Sequence, residues 1–215
     1  RDYLWRGNGS RRRPITDEDY DYVMNIDDYR GLTWFVDSYF ELIHGYPHNW
    51  VGGAMSNIQY SPFDPIFFMH HAFIDYMWDA QRAIVYENQG REGYVYPSID
   101  DEEAFGVGEI VDVLAKNPII LNSTEDSPHY PDKQMLPFDL LNKDSLDEIH
   151  MTTYYYARRP TCSATDPDCG SPYLFCIEGI YKCASKLMTG ASCGDFTTSN
   201  SCYNGNCVDG ICQPN

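Results

Sequence analysis

The sequence has little positive charge. It carries 15 Lys and Arg residues against 32 Asp and Glu residues, which gives a formal net charge of −17 at pH 7. Proteins that bind nucleic acid need basic surface to neutralise phosphates, and anionic membranes attract basic segments. The sequence also lacks a run of about 18 apolar residues, the length that a membrane-spanning helix requires. We therefore expect neither nucleic acid nor a membrane among its partners.

Cysteine is absent from residues 1–161 and abundant after them. The eight cysteines are Cys162, Cys169, Cys176, Cys183, Cys193, Cys202, Cys207 and Cys212. An even number of closely spaced cysteines indicates a disulfide framework formed in an oxidising compartment. The alternative is a zinc site, for which paired C-x2-C or C-x4-C elements with a second pair or histidines nearby are typical. This tail has no histidine, and most of its cysteines are separated by six or more residues. The pattern predicts disulfides in a secreted protein and leaves their pairing open.

Composition divides the chain into two domains. Residues 1–161 contain aromatic, helix-like segments and then a stretch rich in Pro, Asp and Tyr, whereas residues 162–215 form a cysteine-rich module. We predict a mainly α fold for the first domain and a small disulfide-rich module for the second. Glycosylation sequons at Asn8 and Asn122 agree with secretion and predict a glycoprotein.

Two segments of the first domain have helical periodicity. Between Leu32 and Ile43 the apolar residues recur on one helix face, and Pro47 predicts that this helix ends or distorts between His44 and His48. The second segment begins FDPIFFMHHAFIDYMW, with an N-capping Asp and a Pro at the first helical position, and Gly90 predicts its end. This second helix is apolar nearly all round, so we expect it to be buried.

Four histidines fall within or between these helices. His44 and His48 have the i, i+4 spacing that can place two imidazoles on one metal. His70 and His71 are adjacent, so they point about 100° apart on their helix, and a buried histidine needs a polar partner or a metal. Three imidazoles from two packed helices suit zinc, copper or iron. The lack of a carboxylate at the spacing of a two-histidine, one-carboxylate site disfavours iron.

The segment HGYPHNWVGGAMSNIQYSPFDPIFFMHHAFIDYMWDAQR resembles part of the type 3 copper proteins, which are the tyrosinases, catechol oxidases and molluscan haemocyanins. The shared pattern is H-x3-H, then GG-x-M, then S-P-x-DPIFF-x-HH-x3-D-x2-W, and it is most similar to secreted, mollusc-like invertebrate tyrosinases. The resemblance covers Tyr29 to Arg82 and corresponds to the half that holds the second copper, CuB. It implies that residues 1–161 are the C-terminal half of a catalytic domain built on a four-helix bundle with long irregular segments.

The resemblance implies the copper ligands. His44, His48 and His71 match the three CuB ligands, whereas His70 matches a neighbouring residue that does not bind the metal. The family site is binuclear, so a second set of three histidines, for CuA, is needed. His129 and His150 match nothing in the CuA pattern and are interpreted as surface histidines. We therefore expect another segment or chain to carry the CuA histidines.

Four further positions match residues around the copper. Asp75 and Trp78 match residues that orient and cover the last ligand. Ile58 matches a position that gates substrate access, and Asn49 matches one that influences substrate orientation. Gly45 stands where enzymes that hydroxylate monophenols often have Asn, which favours diphenol over monophenol oxidation.

The implied function is copper-dependent oxidation of phenols and o-diphenols to o-quinones with O2. The protein would then be either a tyrosinase, which is a monooxygenase, or a catechol oxidase. The substrates could include protein tyrosines. Two alternatives stay open on the motif alone. One is reversible O2 binding like that of haemocyanin; the other is a non-catalytic structural or adhesive matrix protein, for which the 18 tyrosines would be crosslinking sites.

Overall fold

The computed structural model describes residues 6, 13–33, 39–101, 104, 129–196 and 200–215, together with the backbone of 109–111 and 118–120. Its contacts divide the chain into two compact units, Arg1–Tyr155 and Tyr156–Asn215. The domain boundary predicted after residue 161 stays a prediction. In the described part of the chain, no helix is both long enough and apolar enough to cross a membrane.

The first unit is mainly helical, as predicted. Its α-helices are α1 (Asp17–Met24), α2 (Tyr29–Leu32), α3 (Tyr39–Val51) and α4 (Ile66–Gln89). Short 3₁₀ helices cover Gly53–Ser56, Ser61–Phe63, Arg91–Gly93, Asn142–Leu146 and Glu148–Met151. Strands β1 (Glu109–Val111) and β2 (Pro118–Ile120) form an antiparallel pair.

Helix α3 does not end at Pro47. Proline removes one backbone donor from the helix, yet α3 continues to Val51, and the amide of Gly52 donates to the carbonyl of His48. Buried side chains on both sides of the proline, Phe40 and Ile43 before it and Val51 after it, hold the helix in place. Tertiary packing thus outweighs the local preference that the sequence indicated.

Helix α4 ends where the sequence predicted, at Gly90, which has a φ of 72°. Its beginning differs by one residue, because Pro65 is the N-cap and Ile66 is the first helical residue. The Asp64 carboxylate still accepts a hydrogen bond from the amide of Ile66 at 3.0 Å.

The expectation of burial all round is wrong for the first turns of α4, since Phe68 and Met69 are 63% and 66% exposed. Further along, Met77 and Val85 are fully buried. The later part of α4 therefore buries one face, whereas Asp75, Ala83 and Glu87 on it are exposed.

The core of the first unit surrounds this later part of α4. It consists of Val23, Tyr29, Leu32, Phe40, Ile43, Met77, Val85, Tyr94 and Ala104. Tyr29 packs edge-on against Trp78 and Tyr94, with ring centroids 5.7 and 5.4 Å apart. Full burial of such side chains contributes about 1.5–3 kcal/mol each, so this cluster dominates the stability of the unit.

Contacts around the buried Asp19 carboxylate link α1 to α3. Thr16 and Asp19 form a capping box at the start of α1. The Asp19 carboxylate also binds the Arg13 guanidinium and accepts a hydrogen bond from the Tyr39 hydroxyl at 2.8 Å. Arg13 lies over the ring of Tyr46, 5.2 Å from its centroid. These contacts fix the register of α3, the helix that carries two of the candidate ligands.

The second unit is built from two disulfide-bonded hairpins. Strands β3 (Leu174–Ile177) and β4 (Lys182–Ser185) form one hairpin, and β5 (Gly205–Val208) and β6 (Ile211–Pro214) form the other. The disulfides are Cys162–Cys176, Cys169–Cys183, Cys193–Cys207 and Cys202–Cys212. All eight cysteines are paired, so the disulfide prediction is confirmed.

Both halves of the second unit use the same pairing order, first cysteine with third and second with fourth. In each hairpin the third and fourth cysteines also face each other across the strands, Cys176 opposite Cys183 and Cys207 opposite Cys212. Gly205 is required in the second hairpin because a Cβ there would lie 2.1 Å from the Gln213 carbonyl oxygen.

Candidate metal centre

Helices α3 and α4 bring four imidazoles together. The rings of His44, His48 and His71 are mutually about 5 Å apart, with centroid distances of 5.0 Å for His44–His48, 5.0 Å for His44–His71 and 5.1 Å for His48–His71. The i, i+4 spacing on α3 supplies two of these rings, and the first turns of α4 supply the third. The three residues predicted as ligands therefore form a compact cluster.

Backbone carbonyls orient two of these rings. Nδ1 of His48 lies 2.8 Å from the Met55 carbonyl oxygen, and Nδ1 of His71 lies 3.0 Å from the Phe67 carbonyl oxygen. Since a carbonyl only accepts, each Nδ1 carries the proton and donates it. Each Nε2 consequently keeps a lone pair available to a metal, and the hydrogen bond fixes the tautomer and the ring plane.

His44 completes the set through its own Nε2, which lies 3.0 Å from Nε2 of His71. Since His71 carries its proton on Nδ1, the Nε2–H of His44 donates to the Nε2 lone pair of His71. The nitrogens of the two helices thus point toward one shared position. That arrangement suits a cation held between α3 and α4.

His70 has a different role in this geometry. Its Nε2 lies 2.9 Å from the His44 carbonyl oxygen, and its ring stacks on the His44 ring at 5.4 Å and 4°. Distance alone allows a second ligand set, because ring nitrogens of His44, His48 and His70 lie within 4.8 Å of one another. We prefer the set with His71, since the Nε2–H of His70 is already committed to the carbonyl. The ligand assignment stays a prediction.

Three imidazoles of the cluster have lowered pKa values. Burial, with a further contribution from the neighbouring imidazoles, lowers the pKa of His44 to about 4. Burial likewise lowers the pKa of His70 to about 4 and lowers that of His48. These rings are neutral at pH 7, the state in which imidazole binds metal ions. A set of neutral imidazoles without a carboxylate fits copper, the cofactor implied by the resemblance.

A cavity of about 470 Å³ opens onto the three predicted ligands. Its other lining residues are Gly45, Asn49, Met55, Ser56, Ile58, Ser61, Pro62 and Phe67. Ile58, predicted to gate access, is 96% exposed, and the Asn49 amide donates to the Gly45 carbonyl at 3.0 Å. Both predicted substrate-access residues therefore lie at the cavity, next to the imidazoles.

Asp75 and Trp78 lie further along α4. Both line a separate cavity of about 350 Å³ together with Tyr154. Burial, followed by the charge of Asp75 and a hydrogen bond to it, raises the pKa of the Tyr154 hydroxyl. Trp78 packs against the ring of Phe40 at 6.2 Å. The Phe67 carbonyl, rather than Asp75, accepts the Nδ1–H of His71. That Asp75 supports His71 stays a prediction.

Several functional contacts were not anticipated from the sequence. The orienting carbonyls of Met55 and Phe67 are backbone groups, and only the four-residue spacing between Phe67 and His71 could have suggested one of them. A bidentate contact of the Arg6 guanidinium holds the Asp64 carboxylate, with nitrogen–oxygen distances of 2.8 and 2.9 Å. These two residues are 58 positions apart, so no local pattern reveals the pair.

The remaining sequence-predicted residues lie elsewhere. His150 is exposed, whereas His129 is half-buried, and neither is part of the imidazole cluster. The carbonyl of His129 accepts a hydrogen bond from the Tyr96 hydroxyl at 2.9 Å. The glycosylation sites predicted at Asn8 and Asn122 lie outside the described residues.

Residues 11–83 match the family model described as the common central domain of tyrosinase. This match includes α3, α4 as far as Ala83, and all four clustered histidines, and it begins before Tyr29, the first residue of the resemblance. The resemblance to the type 3 copper proteins is therefore confirmed. The cofactor that this class implies is binuclear copper.

Individual relatives agree with this class. The chain is 34% identical over 177 residues to the tyrosinase-like protein tyr-3 of Caenorhabditis elegans, covering 80% of this chain and 22% of that protein. It is 33% identical over 135 residues to tyrosinase-like protein 1 of Margaritifera margaritifera, covering 62% of this chain and 21% of that protein.

The chain is also similar to a haemocyanin, unit D of the Helix pomatia beta-C chain, with 40% identity over 65 residues. These residues cover 28% of this chain and 15% of that protein. No solved structure matches the chain. The chain thus spans about a fifth of the length of the first curated relatives it matches.

Proposed function

We propose that the chain provides the CuB half of a binuclear copper site that oxidises phenols, and o-diphenols above all, to o-quinones with O2. The observation that supports this most directly is the convergence of His44, His48 and His71. Two of these rings have Nδ1 fixed on backbone carbonyls, which leaves Nε2 for the metal. Copper, when bound, supplies the redox chemistry between the phenol and O2.

The chain contributes binding and orientation. The carbonyls of Met55 and Phe67 hold the imidazole planes, so little rearrangement is needed when the metal binds. Phe67, Met55 and Ile58 give the cavity an apolar lining, which suits an aromatic ring and excludes water from its faces.

We propose a diphenol as the preferred substrate, for which the cavity has room. At Gly45 a Cβ would meet no atom within 4 Å, so this wall of the cavity leaves room for a substituted ring. The Asn49 amide group donates to the Gly45 carbonyl, which leaves its Oδ1 to accept a hydrogen bond from a substrate hydroxyl. We further propose that the second set of three histidines comes from another segment or chain. The exposed side chains of Phe68 and Met69, near the cluster on α4, support an apolar partner surface there.

We propose an extracellular location. Four disulfides in a tail of 54 residues, 162–215, are typical of proteins that fold in an oxidising compartment. The proposed glycosylation of Asn8 and Asn122 would follow from the same location.

The test is quinone formation by the copper-loaded protein, measured with a catechol and separately with a monophenol. We expect catechol turnover to exceed monophenol turnover, and we expect His71→Ala to lower it by at least about 100-fold, because one of three ligands is lost. His150→Ala, which changes an exposed histidine outside the cluster, is the matched control and should leave turnover unchanged. Copper-loaded protein that forms no quinone from either substrate would contradict the proposal.

Haemocyanin-like O2 binding is the second candidate, and the identity to the Helix pomatia haemocyanin unit favours it. Reversible oxygenation without catechol turnover would support it over the oxidase. Protein that folds normally without retaining copper would instead support the structural alternative.

A further inference from the structure

A basic pair stands at the beginning of the second unit. Neighbouring Lys or Arg residues occur at two places in the sequence, Arg11–Arg13 and Arg158-Arg159. The second pair lies in the stretch YYYARRP, four residues before Cys162, the first cysteine. In a chain with a net charge of −17, such a pair is chemically distinctive.

The backbone around this pair is extended and open. Residues 154–163 contain no helix, strand or turn, and all five residues of 157–161 are exposed. Pro160 biases the residue before it, Arg159, toward extended backbone angles. Proteins that bind peptides along a sheet edge, as endoproteases do, require an extended and accessible chain of this kind.

We propose that the Arg158–Arg159 peptide bond is a cleavage site for an endoprotease with an acidic, Arg-selective specificity pocket. Water adds across this bond, so that the C–N bond breaks, Arg158 gains a carboxylate and Arg159 gains an α-amino group. Cleavage one residue later is disfavoured because the leaving nitrogen would be that of Pro160, whose ring replaces the N–H and fixes φ. The site therefore has one preferred bond.

The disulfide pattern gives this single cut a defined product. All four disulfides join cysteines within residues 162–215. Hydrolysis after Arg158 thus separates residues 159–215 from residues 1–158 without breaking any disulfide. A cut after Lys182 would not release a separate fragment, because the Cys169–Cys183 disulfide would still join the two pieces.

Two other described arginines, Arg82 and Arg91, are less suitable. Arg82 lies within α4, with its side chain 14% exposed. The Arg91 side chain is 74% exposed, but it lies in a 3₁₀ helix and pairs with Glu148 at 2.6 Å. Arg91 consequently provides a matched control, since it is an exposed arginine held in a folded segment.

The experiment is a time course of limited trypsin digestion of the native full chain, followed by intact mass with and without reduction. We expect a fragment of residues 159–215 that retains all four disulfides and separates without reductant. Arg158→Gln should slow its release at least tenfold, Arg158→Lys should preserve it, and Arg91→Gln should not change it. Circular dichroism checks that each variant is folded.

Two outcomes would overturn the proposal. One is cleavage within residues 39–101 or 163–215 before cleavage at Arg158. The other is unchanged release of the tail from folded Arg158→Gln protein. Neither outcome bears on the copper site, so the proposal fails or stands independently of the proposed oxidase activity.

Discussion

The two units of this chain are stabilised in different ways. The first has an aromatic and aliphatic core in which residues distant in sequence meet, as Tyr29 meets Trp78. Outside this core, the Arg6–Asp64 ion pair also joins distant parts of the chain. The second is held by disulfides that join cysteines 10 to 14 residues apart. Long-range packing supports the part that carries the imidazole cluster, while local covalent links support the tail. The units should therefore respond to different perturbations.

The largest expected effect is that of a reductant. Removal of a native disulfide from a small domain typically costs about 2–5 kcal/mol, and the second unit has four to lose. Reduction should unfold the tail and leave the helices of the first unit folded. Amide hydrogen exchange of the reduced protein measures this. Protection lost equally from α4 and from the β3–β4 hairpin would show that the units are not separate.

A core substitution should have the converse effect. Met77 is completely buried on α4, so Met77→Ala should destabilise the first unit by about 2–5 kcal/mol through the cavity it leaves. Met69→Ala, on the exposed early part of the same helix, is the control and should cost less than about 0.5 kcal/mol. Urea unfolding monitored by helical circular dichroism separates the two. Equal effects would show that Met69 is covered in solution.

A smaller effect should appear at low pH. Hydrogen bonding to Arg13, together with Thr16 and Tyr39, holds the pKa of the Asp19 carboxyl well below its usual range. A depressed carboxyl pKa stabilises the folded state above the ordinary pKa, near 4, and this contribution is lost as the pH falls below that value. Since the Arg13 side chain is 46% exposed, we expect Asp19→Asn to cost only about 1–2 kcal/mol at pH 7.

The measurement is the free energy of unfolding of the first unit between pH 7 and pH 2. The wild-type protein should lose more stability over this range than Asp19→Asn, because the variant lacks the group that titrates. An equal loss in the two proteins would remove Asp19 from the explanation. Asp21→Asn, on the exposed side of α1, is the control and should follow the wild-type curve.

The sequence predicted the features that depend on neighbouring residues. Gly90 correctly marked the end of α4, and the even set of closely spaced cysteines correctly indicated disulfides. The spacing of His44 and His48, with a histidine from the next helix, correctly indicated a cluster. Each of these features is encoded within a few turns of chain, where propensity and periodicity apply.

Features that depend on tertiary structure could not be predicted. Helix α3 passes through Pro47 because buried residues on both sides of it are packed. The carbonyl of Met55 orients His48 because the 3₁₀ helix after α3 places that carbonyl next to the His48 ring. Every residue has a backbone carbonyl, so no pattern of residue types could have predicted this acceptor. The choice between His70 and His71 depends on these hydrogen bonds, which explains why helix geometry alone left it open.

The interleaved disulfide pairing in the tail also determines what happens when its backbone is cleaved. Within 162–183 every peptide bond is spanned by at least one disulfide, and the same is true within 193–212. A broken backbone there leaves both pieces joined, so the tail can be nicked without shedding material. The segment between Cys183 and Cys193, the stretch before Cys162 and the three residues after Cys212 are spanned by no disulfide. Backbone cleavage within either half of the tail would thus leave the tail in one piece, whereas its attachment to the rest of the chain depends on the backbone alone.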